Sequence, residues 1–142
     1  MSKGNTFEND LLKLIFNATA IGNIADNAGT SPLTNLYVSL HTADPGEAGD
    51  QTTNECAYTS YARVAVARTS GGWTVTGNSV SPAANIDFPA ATGGTETITH
   101  AAVGTDASGA GKLLYSGNLS TSISITSGTA PRLTTSTVIT ED

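Results

Sequence analysis

The stretch Leu36-Tyr37-Val38-Ser39-Leu40-His41-Thr42-Ala43-Asp44-Pro45 decides the fold of this chain. Its residues alternate. Leu36, Val38 and Leu40 fall on one face of an extended backbone, and Tyr37, Ser39 and His41 fall on the other. Asp44-Pro45-Gly46 then removes a ladder donor and supplies turn chemistry, so the pattern predicts a β-strand that runs into a turn. One helical pattern precedes this strand, and short strand patterns separated by Gly, Ser and Thr follow it.

Upstream, Asn5 and Glu8 have the spacing of a capping box. Phe7, Leu11, Leu14 and Ala18 recur at helical intervals, while Leu12, Ile15 and Phe16 widen the apolar face. Asp10 lies near the positive end of the helix dipole. The spacing predicts a helix over 5–20, ending by about Gly22, between a loose tail at 1–4 and a loop at 22–35. A face this broad covers one end or one sheet of its own domain, or else part of it seals a contact with another subunit.

Downstream, 43–60 is a turn-rich insert with four carboxylates, Asp44, Glu47, Asp50 and Glu55. Calcium binds clustered carboxylates, but this spacing matches no calcium loop, so a solvated acidic loop is expected. Tyr61 to Arg68 reads as the second strong strand, with Ala62, Val64 and Val66 on one face and Arg63, Ala65 and Ala67 on the other. Strands are expected at 73–76, over a broken stretch at 79–89 that Pro82 and Pro89 demote to an edge, and at 95–103. Further strands follow at 112–116, 122–126, 131–134 and 137–140, with a turn at Asp106-Ala107-Ser108-Gly109. About seven or eight strands with turn signals between them predict an all-β, jelly-roll-like sandwich carrying one N-terminal helix. The chain reads as a single domain over 1–142, with the helix at 5–20 and the sandwich at 35–140.

Composition narrows the function. The 142 residues carry a net charge of −6 from six Lys/Arg and twelve Asp/Glu. Six scattered cations make no basic stripe, which argues against direct nucleic-acid binding and against anionic membranes. Ser and Thr fill about a quarter of the chain, a composition suited to strands and turns. The lone Cys56 excludes an internal disulfide and a cysteine zinc site. No signal peptide and no apolar run of membrane-spanning length stands out. A cytosol-like compartment is therefore expected, and the sequons at Asn17 and Asn118 carry no weight.

Candidate chemistry is sparse. Ser39 and His41 share a strand face about 6.5–7 Å apart by strand rise, too far for a nucleophile and its base, which need about 3.2 Å. His100 could join His41 in space, but each sits in an ordinary strand pattern. No Gly-x-Ser-x-Gly elbow, phosphate loop or His-Glu-x-x-His motif is present. The glycine-rich 104–109 stretch leads into no helix and reads as a turn. Trp73 and the tyrosines are dispersed, as core and sheet residues are. No catalytic, cofactor-binding or metal residue is expected, and the chain does not read as an enzyme.

The order of the pieces is similar to a known family. The helix Phe7-Glu8-Asn9-Asp10-Leu11-Leu12-Lys13-Leu14-Ile15-Phe16 comes first, then the Leu36–Pro45 stretch, an acidic loop and Tyr61-Ala62-Arg63-Val64. Ile98-Thr99-His100-Ala101-Ala102-Val103-Gly104 and Gly111-Lys112-Leu113-Leu114-Tyr115-Ser116-Gly117 follow. This resembles small tailed-bacteriophage virion proteins often labelled tail-fibre proteins, and most of all the capsid cement or decoration proteins. The resemblance implies a jelly-roll-like fold without catalytic residues. It implies a structural protein on the outer capsid surface of the virion, assembled in the host cytoplasm, that cements neighbouring major-capsid-protein subunits and pairs with itself as a homodimer or other small homo-oligomer. Interface residues would be Phe7, Leu11 and Leu14 of the helix, with Arg63 and Arg68 pairing with capsid carboxylates. A tail or tail-fibre component with a receptor- or glycan-binding role is the alternative.

Overall fold

The computed structural model describes residues 5–21 and 32–141. The expected tail at 1–4 and most of the expected loop at 22–35 lie outside the described residues. Among the described residues one helix, α1 (Asn5–Asn17), precedes nine strands: β1 (Asn35–His41), β2 (Val64–Ala67), β3 (Trp73–Thr76), β4 (Ser79–Pro82), β5 (Ile86–Asp87), β6 (Glu96–Gly104), β7 (Leu113–Ile125), β8 (Arg132–Leu133) and β9 (Ile139–Thr140). The all-β class with one N-terminal helix is as the sequence predicts. The chain forms two compact units, one of Met1–Asn35, Val66–Asn85 and Leu133–Asp142, the other of Leu36–Ala65 and Ile86–Arg132.

In the first unit, α1 lies against the sheet β3-β4-β9. Its buried residues are Glu8, Leu12 and Phe16, one position each turn. Phe16 meets Trp73 edge-on, with ring centroids 4.8 Å apart, and Leu12, Phe16, Trp73 and Val80 are almost completely buried. Each such side chain contributes about 1.5–3 kcal/mol of burial. The helix ends at Asn17, earlier than expected, because Ala18 turns left-handed at φ 53° and Thr19 N–H reaches back to the Lys13 carbonyl at 3.1 Å. Asn5, the first described residue, is already helical and so is not the cap. β4 is the middle strand of its sheet and not an edge. Pro82 is tolerated because β9 pairs with β4 at Ser79 and Val80, short of the proline.

In the second unit, β1, β6 and β7 are hydrogen-bonded neighbours in that order. β1 pairs antiparallel with β6, with Tyr37 opposite Gly104 and His41 opposite His100. On the other side of β1 the 54–56 segment continues the ladder, through Cys56 N–H to the Leu40 carbonyl at 2.9 Å and Thr42 N–H to the Asn54 carbonyl at 2.8 Å. β1 thus has ladder neighbours on both sides, and both faces of its C-terminal half are buried. Leu36, Val38 and Leu40 are buried, and so are Ser39 and His41. The turn at its end forms as the sequence implies, with Gly46 at φ 69° and its N–H donating to Asp44 Oδ1 at 2.9 Å.

β2 is shorter than the predicted Tyr61–Arg68 strand and leaves both arginines outside it, although Val64 and Val66 alternate with Ala65 and Ala67 as read, the valines half-buried and the alanines exposed. β7 is one strand where the sequence suggested two. Gly117-Asn118 looks like a break, yet β6 pairs with both halves, Asn118 with His100 and Ile123 with Ile98. The residues between them, 119–122, bulge from the ladder opposite Thr99 alone. β5 pairs with β8.

Candidate functional site

The acidic insert is a bracket more than a solvated loop. Glu55 Oε1 accepts from Arg63 Nε at 2.7 Å and Oε2 from Arg63 Nη2 at 2.7 Å, the two-pronged geometry a guanidinium favours. The Arg63 side chain is 2% exposed and that of Glu55 15%. The remaining donors of Arg63 reach the Asp106 carbonyl at 2.9 Å and the Gly109 carbonyl at 2.8 Å. Tyr61 hydroxyl donates to Glu55 Oε1 at 2.9 Å and accepts from Leu40 N–H at 3.1 Å. The hydrogen bonds that Arg63 donates to Glu55 raise its pKa further.

Gln51 completes the bracket. It is fully buried, and its Oε1 accepts from Asp106 N–H at 2.9 Å. Its amide lies so close to two glycines that a Cβ at Gly104 would stand 2.1 Å from Gln51 Cδ, and one at Gly111 2.1 Å from Gln51 Oε1. Arg63 and Gln51 thus fix the connection between β6 and β7. Asp50 Oδ1 accepts from Thr52 hydroxyl at 2.6 Å and Thr52 N–H at 2.8 Å, and these bonds lower its pKa, the hydroxyl first. Among the described residues no group of three or more His, Cys, Asp or Glu side chains is placed to hold a metal ion.

Ser39 and His41 are closer than strand rise implied. Ser39 Oγ lies 2.9 Å from His41 Nε2, because the imidazole spans the gap that separates the two backbones. Nδ1 lies 2.9 Å from the Thr53 carbonyl. A carbonyl can only accept, so Nδ1 carries the proton and Nε2 accepts from the Ser39 hydroxyl. Both side chains are 0% exposed, which leaves no approach for a substrate. Burial, the largest cause, lowers the His41 pKa and keeps the ring neutral. His100 lies opposite in register, with its Nδ1 2.8 Å from Thr99 Oγ1. Cys56 is also buried, and burial pushes its thiol up to about 12.

A groove borders β7. That strand is at the end of the sheet order, and Leu113–Ser116 with the Asp44–Glu47 turn line a groove of about 410 Å³. Leu113, Leu114 and Tyr115 are half-buried, while Ser116 and Glu47 are exposed.

The five residues expected at an interface fall in three settings. Phe7 is 39% exposed, and Leu11 and Leu14 are half-buried beside the Glu8-Leu12-Phe16 face that packs inward. Arg63 is committed to Glu55. Arg68 donates to the carbonyls of Ile15 at 2.7 Å, Leu14 at 2.8 Å and Leu33 at 2.7 Å. It supplies the positive charge that the last turn of α1 lacks. The Gln51 clamp and the groove were not anticipated. The glycines at 104 and 111 were the available signal for the clamp.

The Ser39–His41 pair is sealed in the core, and Glu55, Arg63, Gln51 and Asp50 brace loops of this chain. A family model described as Podophage GP4 fiber I protein gp80 matches residues 2–141, and the chain belongs to that family. It is a structural protein of the phage virion, of the fibre type. No curated protein matches it.

Proposed function

We propose that this chain is a component of a podophage fibre that acts by surface contact and not by catalysis. The observation that carries the reading is the family match over residues 2–141. The burial of Ser39 and His41 supports a role without chemistry. Cementing of the capsid lattice, implied by the resemblance of the ordered segments from the helix to Gly117, is the competing placement, and receptor or glycan binding is the task such a fibre component would serve.

The test is a phage lacking this protein, compared with wild type by electron microscopy, adsorption and heat resistance of filled heads. Missing fibre density and failed adsorption, with heads that keep their DNA, are expected. Missing density on the capsid lattice, with heads that lose DNA at a lower temperature, would transfer the protein to the head.

A further inference from the structure

We infer that one strip of α1, formed by Phe7, Leu11 and Ile15 with the Glu8 carboxylate beside them, receives an apolar segment of another virion polypeptide that carries a lysine or arginine. The inference needs only that the chain is a virion protein, and it stands apart from the choice between fibre and head.

Glu8 carries the argument. It is 6% exposed and lies in line with Leu12 and Phe16. Yet its carboxylate accepts no hydrogen bond and joins no ion pair. Among the described residues, Trp73 Nε1 is the one sealed side-chain polar atom without a partner. The Glu8 oxygens are therefore recessed but still meet solvent. Crowding a carboxylate out of water with no donor at its tip costs free energy. The dipole of the first helical turn offsets only part of that cost. Local departures of this kind collect at functional sites.

Helical geometry puts the rest of the strip next to it. Successive residues stand about 100° apart around the axis, so Phe7, Leu11 and Ile15 span about 80° and Glu8 borders Ile15. Leu12 and Phe16 follow on the side that packs inward. Phe7 is 39% exposed, and Leu11 and Ile15 are half-buried. A recessed carboxylate at the margin of an apolar strip suits a cation on an apolar stem. Lysine and arginine lay their methylenes along such a surface and place the charge at the end. One strip of a 13-residue helix falls short of the roughly 1,200–2,000 Å² that a stable interface buries. It is one contact among those that an assembled particle repeats.

Charge chooses the occupant. A second copy of this chain brings twelve Asp/Glu against six Lys/Arg. Three of those cations, Arg63, Arg68 and Arg132, are already held within the chain. A basic segment of a different polypeptide is the complementary partner.

The experiment places the photo-crosslinking residue p-benzoylphenylalanine at Phe7, in the full chain assembled into virions, and maps the crosslinked peptide by mass spectrometry. A crosslink to a Lys- or Arg-bearing segment of another virion protein is expected. Glu8→Gln, close to isosteric, should lower that crosslink or the incorporation of the chain by about tenfold or more, the loss of one charge-assisted hydrogen bond. The melting temperature of the isolated protein should not change. A fall of several degrees would show that Glu8 serves the fold, and would overturn the inference. So would a crosslink joining two copies of this chain, no crosslink in intact virions, or one indifferent to Glu8→Gln. If the chain is seen on the fibre but Phe7 captures nothing, the inference fails and the fibre reading stands. If Phe7 captures a basic segment of the capsid protein, the inference stands and the fibre reading fails.

Discussion

Arg63 shows how much one side chain can organise. Four of its contacts, two to Glu55 and one each to the Asp106 and Gly109 carbonyls, tie three segments of one unit together. Removing the cation leaves Glu55 without its partner in a part-buried site and frees the β6–β7 connection. Arg63→Ala should therefore cost about 3–5 kcal/mol, the range for breaking one side of a buried pair, read as a lower urea midpoint. His41 gives a second prediction. Its folded pKa is lowered by burial, so the unfolded chain binds a proton that the folded chain refuses. Stability should be complete above the ordinary value of 6.5 and fall as pH drops through it. The melting temperature should decline between about pH 7.5 and 5.5, before ordinary carboxylates titrate, and His41→Gln should flatten that decline. The Ser39–His41 bond was illegible at this scale, because strand rise measures backbones while an imbalance of side-chain length decides which polar atoms meet.

At the scale of the element, α1 was legible in its existence and misjudged in its face. Six apolar residues in its span allow more than one stripe, and periodicity alone does not say which one faces the sheet. Trp73 settles the matter by taking Phe16 edge-on, which draws Leu12 and Glu8 inward on the same line. Leu12→Ala should cost about 2–5 kcal/mol as a core truncation, whereas Leu11→Ala should cost under about 1 kcal/mol. Comparing the two in denaturant tests which stripe is buried, and equal costs would reject the assignment. β1 was read correctly on its apolar face, since strict alternation of Leu36, Val38 and Leu40 has few other interpretations. Its second face was not, because burial of Ser39 and His41 depends on neighbours distant in sequence. β7 was cut in two for a similar reason. Gly117-Asn118 carries turn chemistry, but the partner strand keeps it extended.

For the molecule as a whole, the acidic balance is used more than it is displayed. Asp44 and Asp50 accept backbone N–H groups within their own turns, and Glu55 is spent on Arg63. Ethylenediaminetetraacetate should leave the melting temperature of the isolated protein unchanged, and a fall of several degrees restored by calcium would show a metal site that these contacts do not predict. The class of the fold followed from the chain's many short alternating stretches and single helical period. Placement on the virion did not, because fibre and capsid proteins alike solve the same problem of burying strands with few charges.

Cys56 has a use that its burial creates. A thiol with its pKa pushed up to about 12 is almost wholly protonated near neutral pH, and it is the thiolate that attacks alkylating reagents. Reaction must then wait until the segment beside Leu40 opens, and the chain has no other cysteine to confuse the signal. The rate of maleimide labelling in intact particles becomes a clock for local opening of the central strand. Mechanical load on an assembled particle should be visible as a change in that rate, without any engineered probe.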